Sequence, residues 1–287
     1  MSVNTEIRAE RSTVVRPFSL FYITATAVHA LTPNMVRVTF GGPDLTGFTS
    51  GGLDQRVKLF FPLPGQEVPA LPPPDDWYQA YQDMTDDVRP VMRTYTIRTH
   101  RPDVSEIDID FAVHGDVGPA SRWALRARPG DVLGLLGPDV RHPPTGSGVE
   151  YDPGPSDWQL LVGDDTALPA IGAIIETLPP DTRVRAFVEI ATADDVQEFD
   201  TRAEVEITWI ARAGHGRDGG AASPLVEAVR RAELPAGTPY AWTAGESGMI
   251  RELRRHLLSD LGWERRRGYF GGYWRADTTD PTGADDD

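Results

Sequence analysis

The chemistry-bearing residues of this 287-residue chain gather in a few short segments. In Arg93-Thr94-Tyr95-Thr96, the alternation of an extended strand puts Arg93 and Tyr95 on one face. A guanidinium binds phosphate oxygens bidentately, and an aromatic ring packs on a planar group. Strict alternation would put Thr96 on the opposite face; for its hydroxyl to share the face of Arg93 and Tyr95, the chain must turn there. An ordinary barrel strand accounts for the same four residues. A second segment reads EIDIDFAVHGDVGPASRWA from Glu106 to Ala124. Ile107, Ile109, Phe111 and Val113 point one way, towards a core. Asp108, Asp110, Ala112 and His114 share the other face. The chain then reaches Gly115, Gly118, Pro119, Ala120 and Ser121, where a helix begins. The unpaired N–H groups and positive dipole end of a helix start suit a pyrophosphate, and glycines let the backbone come close. Taken alone, His114 is equally a strand-end histidine bonded to backbone. A third segment, Gly163-Asp164-Asp165-Thr166-Ala167-Leu168-Pro169-Ala170, follows a strand and opens a helix. Capping by its Asp and Thr side chains explains these residues too.

Composition narrows the chemistry. The chain has no cysteine, which removes disulfides, a thiol nucleophile, cysteine-ligated zinc and an ordinary iron–sulfur cluster. The six histidines are scattered and form no HExxH pair. Any redox reaction must therefore pass its electrons through a bound organic cofactor. The net charge of −15 disfavours nucleic acid and anionic membranes as partners. No apolar run is long enough to span a bilayer, and the first eighteen residues contain no secretory pattern. The expectation is a cytoplasmic protein without membrane insertion, and a monomer.

Two kinds of element must position these residues. In the first half, FYITATAVHAL, MVRVTF, RVKLFF, RTYTIR, EIDIDFAV and DVLGLL read as six short strands between Gly/Pro/Asp clusters, the pattern of a small antiparallel β-barrel. A proline-rich insert between the third and fourth strands argues against a continuous element there. In the second half WQLLVG, RVRAFVEI, EVEITWIAR, PYAWTAGE and RGYFGGYWR are strands. DTALPAIGAIIETL, SPLVEAVRRAEL and SGMIRELRRHLLSDLG between them are helices, which predicts βαβ units and a doubly wound parallel sheet. The expected division is a barrel domain at 16–141, a Gly/Pro-rich linker at 142–157, an α/β domain at 158–277 and a disordered acidic tail at 278–287. Gly214-His215-Gly216-Arg217-Asp218-Gly219 satisfies G-x-G-x-x-G. It follows the third strand of its sheet rather than the first, and no acidic strand end follows about 20 residues later; it reads as a loop.

A barrel followed by a doubly wound sheet, with these three segments in this order, resembles the siderophore-interacting family of FAD-binding ferric-siderophore reductases in the ferredoxin-reductase-like superfamily. The resemblance runs from about residue 18 to 275. It rests on the R-x-Y-[ST] strand at Arg93–Thr96, on the D-x-x-x-H-G-x-x-G-P-A-S-x-W-A pattern from Asp110, and on G-D-E-T-A-[LI]-P-A, where Asp165 replaces the family's Glu. The closing Gly272-Tyr273-Trp274-Arg275 is also a family pattern. The resemblance implies that FAD is held by Arg93, Thr94, Tyr95 and Thr96, with the Thr96 hydroxyl near the flavin N5. Asp110 and His114 would line the flavin site, and Gly115, Gly118, Pro119, Ala120 and Ser121 would meet its phosphates. The second domain would take NADPH or NADH near Gly163, Asp165, Thr166, Ala167, Glu189, Arg212 and Gly245, with Tyr273 and Trp274 covering flavin or nicotinamide; hydrophobic packing between domains explains the aromatic residues equally. Arg212 or Arg217 could grip a 2′-phosphate. The implied activity is NAD(P)H-dependent reduction of ferric siderophores, Thr96, Lys58 and Arg275 acting at the reaction centre. Lys58 is the only lysine of the chain; it matches a family lysine, and with Arg275 and Arg265–Arg267 would attract an anionic chelate against the global charge. A strand-end lysine at the solvent boundary is the plain alternative. Two other functions stay open: a flavin electron-transfer module for another redox partner, and a siderophore-binding protein without turnover.

Overall fold

A computed structural model describes residues 17–115, 118–142, 146–212 and 223–276. The Gly-rich segment at 214–219, Arg217 and the acidic tail lie outside the described residues.

The first half forms one antiparallel sheet of seven strands: β1 (Phe18–Thr32), β2 (Met35–Gly41), β3 (Arg56–Phe61), β4 (Val91–Thr96), β5 (Thr99–Arg101), β6 (Glu106–Ala112) and β7 (Val132–Pro138). Their order is β4-β3-β7-β1-β2-β6-β5. The two outermost strands, β4 and β5, are separated in the chain only by Ile97 and Arg98. The sheet must therefore roll until its edges meet, which makes it a barrel. At that corner the Ile97 N–H donates to the Gln55 carbonyl and the Arg98 N–H to the Asp108 carbonyl, so pairing passes from one side of the barrel to the other. Strand β5 is the one barrel strand absent from the sequence reading; three residues after a corner are too few for a period to register. The alternation read in β6 is the packing observed: Ile107, Ile109 and Phe111 are fully buried and Val113 nearly so, in a core shared with Ile23, Val38, Phe40 and Leu59.

The proline-rich insert contains one short helix, α1 (Trp77–Asp83), which the sequence reading did not anticipate. Its Trp77 and Tyr81 pack edge-on against Phe60, and the Tyr81 hydroxyl donates to the Pro90 carbonyl at 2.9 Å. Helix α2 (Pro119–Ala124) follows β6 and lays Trp123 over Phe40, Phe61 and Phe111.

The second half is a parallel sheet of β8 (Trp158–Gly163), β9 (Arg183–Ile190), β10 (Glu204–Ala211), β11 (Pro239–Glu246) and β12 (Gly268–Trp274), in the order β10-β9-β8-β11-β12. Helix α3 (Leu168–Thr177) covers one face; α4 (Pro224–Arg231) and α5 (Ser247–Arg255) cover the other. The sheet is thus doubly wound, and its order reverses between β8 and β11, where such folds bind ligands beyond the carboxyl ends of the strands.

Buried polar contacts join the two halves. Asp54, wholly buried ahead of β3, accepts the Trp242 indole N–H at 2.8 Å and the Tyr151 backbone N–H at 3.1 Å. Arg98 at the barrel corner donates from both terminal nitrogens to Glu176 of α3, each at 2.7 Å. Asp195 accepts from Thr32 Oγ1 at 2.7 Å, from the Asn34 backbone N–H at 2.9 Å and from Asn34 Nδ2 at 2.8 Å. Among the described residues no helix is long and apolar enough to cross a membrane.

Candidate functional site

A cleft of about 970 Å³ opens between the barrel and the carboxyl ends of the parallel strands. Its barrel wall is built from β3, β4, the end of β6 and the start of α2. In the β3–β4 ladder Lys58 stands opposite Thr94 and Arg56 opposite Thr96, and residues directly opposite share a face. Lys58, Thr94, Arg56 and Thr96 therefore project together. Arg93 and Tyr95 belong to the other face, where the Tyr95 ring meets Phe111 at 4.6 Å between centroids. All four residues of the Arg93–Thr96 segment nevertheless line the cleft, because β4 ends the ladder and the cleft reaches around it. The turn expected at Thr96 comes one residue later, at Ile97 and Arg98, and Thr96 keeps its place in the strand.

Asp110, Ala112 and His114 line the cleft beyond β4. The Asp110 carboxylate is paired with Arg37, accepting from Nε at 2.7 Å and Nη2 at 2.8 Å. Gly118, Pro119, Ala120 and Ser121 bring the first turn of α2 to the same wall. Gly118 has φ +91° and nothing within 4 Å of where a Cβ would stand, so a ligand can approach its backbone closely. Gly115 has φ +76° and is not among the lining residues.

The opposite wall comes from the parallel sheet. Thr166, Pro169, Tyr273 and Trp274 line it. Behind them stands Asp164, 2% exposed, which binds three strand ends together. It accepts the Trp274 indole N–H at 2.8 Å, the Glu246 backbone N–H at 3.0 Å and the Thr166 backbone N–H at 2.9 Å. Gly245 lies behind the wall; a Cβ on it would come within 2.8 Å of the Asp164 carboxylate. Ala167 is fully buried under α3. Asp165, 3% exposed, is not among the lining residues and is ion-paired with Arg212; His114 Nε2 lies 3.7 Å from its carboxylate across the domain boundary. Arg212 also donates to Glu189 at 3.4 Å. Burial works against the Arg212 charge, but Asp165 and Glu189 outweigh it and hold its pKa above the ordinary value. Burial also raises the Glu189 carboxyl, against the pull of Arg212. Arg275 is exposed and is not among the lining residues.

The cleft takes in residues that motif reading gave no role. Trp77 and Tyr78 of α1 line it next to Asp76, which has φ +55°; nothing in a proline-rich insert signals that its aromatic residues reach a ligand cleft. Arg56 had a signal, standing beside Lys58 in the same strand; Tyr273, given a covering role together with Trp274, does line the cleft. Burial raises the Tyr273 phenol well above its usual range.

Comparison with known proteins agrees with this layout. Residues 24–142 match the model of the siderophore-interacting FAD-binding domain, and residues 156–277 that of siderophore-interacting protein. The chain belongs to the siderophore-interacting protein family. It is 32% identical to the ferric vibriobactin reductase ViuB of Vibrio cholerae, over 84% of each chain. It is 30% identical to the NADPH-dependent ferric-chelate reductase of Escherichia coli, covering 88% of this chain and 92% of that one. Among solved structures, a siderophore utilization protein from T. fusca superposes with a TM-score of 0.74 at 35% identity, covering 92% of this chain and 95% of that one.

The barrel half of this family member is thus an FAD-binding domain, and its cleft wall suits that cofactor chemically. Lys58 and Arg93 supply positive charge, Thr94, Thr96 and Ser121 supply hydroxyls, and the first turn of α2 lies open beside Gly118. This donor set matches a pyrophosphate and the polar edge of a flavin.

Proposed function

We propose that the protein reduces ferric siderophores with electrons from NAD(P)H through FAD held in the cleft, releasing iron as Fe(II) in the cytoplasm. The observation that carries this reading is the single cleft shared by the Arg93–Thr96 strand, the α2 start and the Tyr273–Trp274 end of β12. Bound FAD supplies the conversion of a two-electron hydride donor into one-electron transfers. Each NAD(P)H oxidised then balances two Fe(III) centres reduced. Siderophores bind Fe(III) through hard oxygen donors, and the lower charge of Fe(II) weakens that grip.

The residues divide the work. Arg93 and the first turn of α2 hold the pyrophosphate. Tyr95, its ring fixed against Phe111 and Phe61, would offer a rigid surface for the isoalloxazine to pack on. The Thr96 hydroxyl would donate a hydrogen bond to bound flavin and help orient it. Trp274, pinned through its indole N–H by Asp164, and Tyr273 exclude water at the junction with the second domain. Lys58, with Arg56 on the same face and Arg275 at the exposed rim, draws in an anionic chelate despite the charge of −15.

An anaerobic assay tests the reading. The FAD-loaded protein is mixed with NADH or NADPH, a ferric siderophore and ferrozine as a ferrous trap. Bleaching of the flavin band followed by the coloured Fe(II) complex is the expected result. Bleaching with no trapped Fe(II) across hydroxamate and catecholate chelates would instead make the protein a flavin module for another acceptor.

A further inference from the structure

The carboxyl ends of β8, β9 and β10 carry a buried charge cluster that the proposed reaction does not use. Asp164 and Asp165 follow β8, Glu189 is the penultimate residue of β9, and Arg212 follows β10. Relative exposures are 2%, 3%, 9% and 8% in that order. The Arg212 guanidinium is already engaged: Nη2 on Asp165, Nη1 on Glu189 at 3.4 Å. Ser223 Oγ adds a contact to Glu189 Oε2 at 3.4 Å.

The position of this cluster gives it a consequence for ligand choice. In a doubly wound sheet a dinucleotide lies across the carboxyl ends of the strands at the order reversal, here between β8 and β11. The residue ending the strand next to the first one meets the adenosine ribose: an acid accepts the free 2′-hydroxyl, whereas an arginine is needed for a 2′-phosphate. In this chain β9 is that strand, and Glu189 is its penultimate residue. Of the two arginines the sequence offers to a phosphate, Arg217 lies outside the described residues, and Arg212 is drawn back into the fold by two carboxylates. A 2′-phosphate would approach like charges, and Arg212 could turn to it only by leaving Asp165 and Glu189 uncompensated in a buried site.

We propose that the second domain selects the nicotinamide dinucleotide without a 2′-phosphate, NADH, and that Glu189 and Asp165 set this choice by engaging Arg212. The inference rests on the reading of the protein as an NAD(P)H-dependent reductase. Glu189 acts as acceptor and repulsive charge; Asp165 acts through Arg212 and is a positioning residue.

The test uses the full FAD-loaded chain and two readouts. Calorimetric titration with NAD⁺ and NADP⁺ gives affinities without turnover, and anaerobic flavin bleaching gives rates with NADH and NADPH. The account expects at least about ten-fold tighter binding of NAD⁺ and the same sense in the bleaching rates, since like charges brought together oppose binding strongly. Added KCl should narrow the gap by screening the repulsion. Glu189→Gln keeps the side-chain shape and removes the charge; it should improve NADP⁺ binding several-fold with little change for NAD⁺. Asp165→Asn, which loosens Arg212 from the fold, should move the ratio the same way. Equal or tighter NADP⁺ binding in the unaltered chain, with normal flavin bleaching, would overturn the inference and leave the reductase reading in place. So would an Arg212→Gln variant that loses NADP⁺ selectively, because Arg212 would then reach the phosphate. Binding of neither nucleotide, with no bleaching, would remove the inference together with the reductase reading.

Discussion

The two walls of the cleft are built to opposite electrostatic plans. The barrel wall offers donors: Lys58, Arg93, three hydroxyls and the open first turn of α2. The wall of the second domain is backed by acceptors that the protein has already engaged. Asp164 holds Trp274, Glu246 and Thr166, while Asp165 and Glu189 hold Arg212. Charge turned towards the cleft serves a ligand; charge turned into the fold serves geometry. Substitutions on the first wall should therefore change FAD binding and spare stability, whereas substitutions behind the second should lower stability and spare FAD binding.

The largest expected effect breaks the second wall. Asp165→Ala removes the main partner of a buried guanidinium and should cost about 3–5 kcal/mol, read as a lower midpoint in urea unfolding of the FAD-free chain. An unchanged midpoint would mean that the pair is not structural. On the donor wall, Arg93→Ala should weaken FAD binding by roughly 10- to 100-fold, the value of a charge-assisted hydrogen bond of about 1.5–3 kcal/mol, while the same urea midpoint moves by less than about 0.5 kcal/mol. Lys58→Ala should raise the Michaelis constant for anionic ferric siderophores several-fold. An unchanged constant for several chelates would take Lys58 out of the site.

The smallest effect is a pH dependence. Burial works against the Asp195 charge, but hydrogen bonds from Thr32, Asn34 and Thr192 outweigh it and lower its pKa in the folded state. A depressed carboxyl contributes stability above its unfolded value, about 3.9, and loses it as pH falls through the folded value. Asp195→Asn should therefore flatten the acid side of the stability curve below about pH 4, and separate the effect of the domain ties from that of the cleft. A curve parallel to that of the unaltered chain would deny Asp195 this role.

Local chemistry was legible in the sequence and long-range chemistry was not. Period-two alternation gives the buried face of β6 because each side chain answers to its nearest neighbours. The Arg93–Thr96 segment and the glycines before α2 stand out for the same reason, as residue types unusual for their setting. Strand β5 and helix α1 are too short for a period to register. The contacts that fix the two walls relative to each other carry no local pattern at all. Asp54 and Trp242 meet across 188 positions of sequence, and Asn34 meets Asp195 across 161. In the sequence each reads as a surface acid or an ordinary core tryptophan. Family resemblance points to Asp165 as a cofactor residue; its pairing with Arg212, 47 positions away, carried no signal in the sequence.

The most direct test of the donor wall is an FAD titration of the unloaded chain and of Thr94→Trp, followed by quenching of flavin fluorescence. Thr94 is an exposed position on the ladder-ending strand β4, where an aromatic residue suits strand geometry, so the variant should fold normally while its indole fills the cleft. The account predicts one FAD per unaltered chain and a loss of affinity of at least about ten-fold in the variant, since a blocked pocket forfeits more than about 1.4 kcal/mol. Equal binding by both proteins would place the cofactor elsewhere and contradict the account.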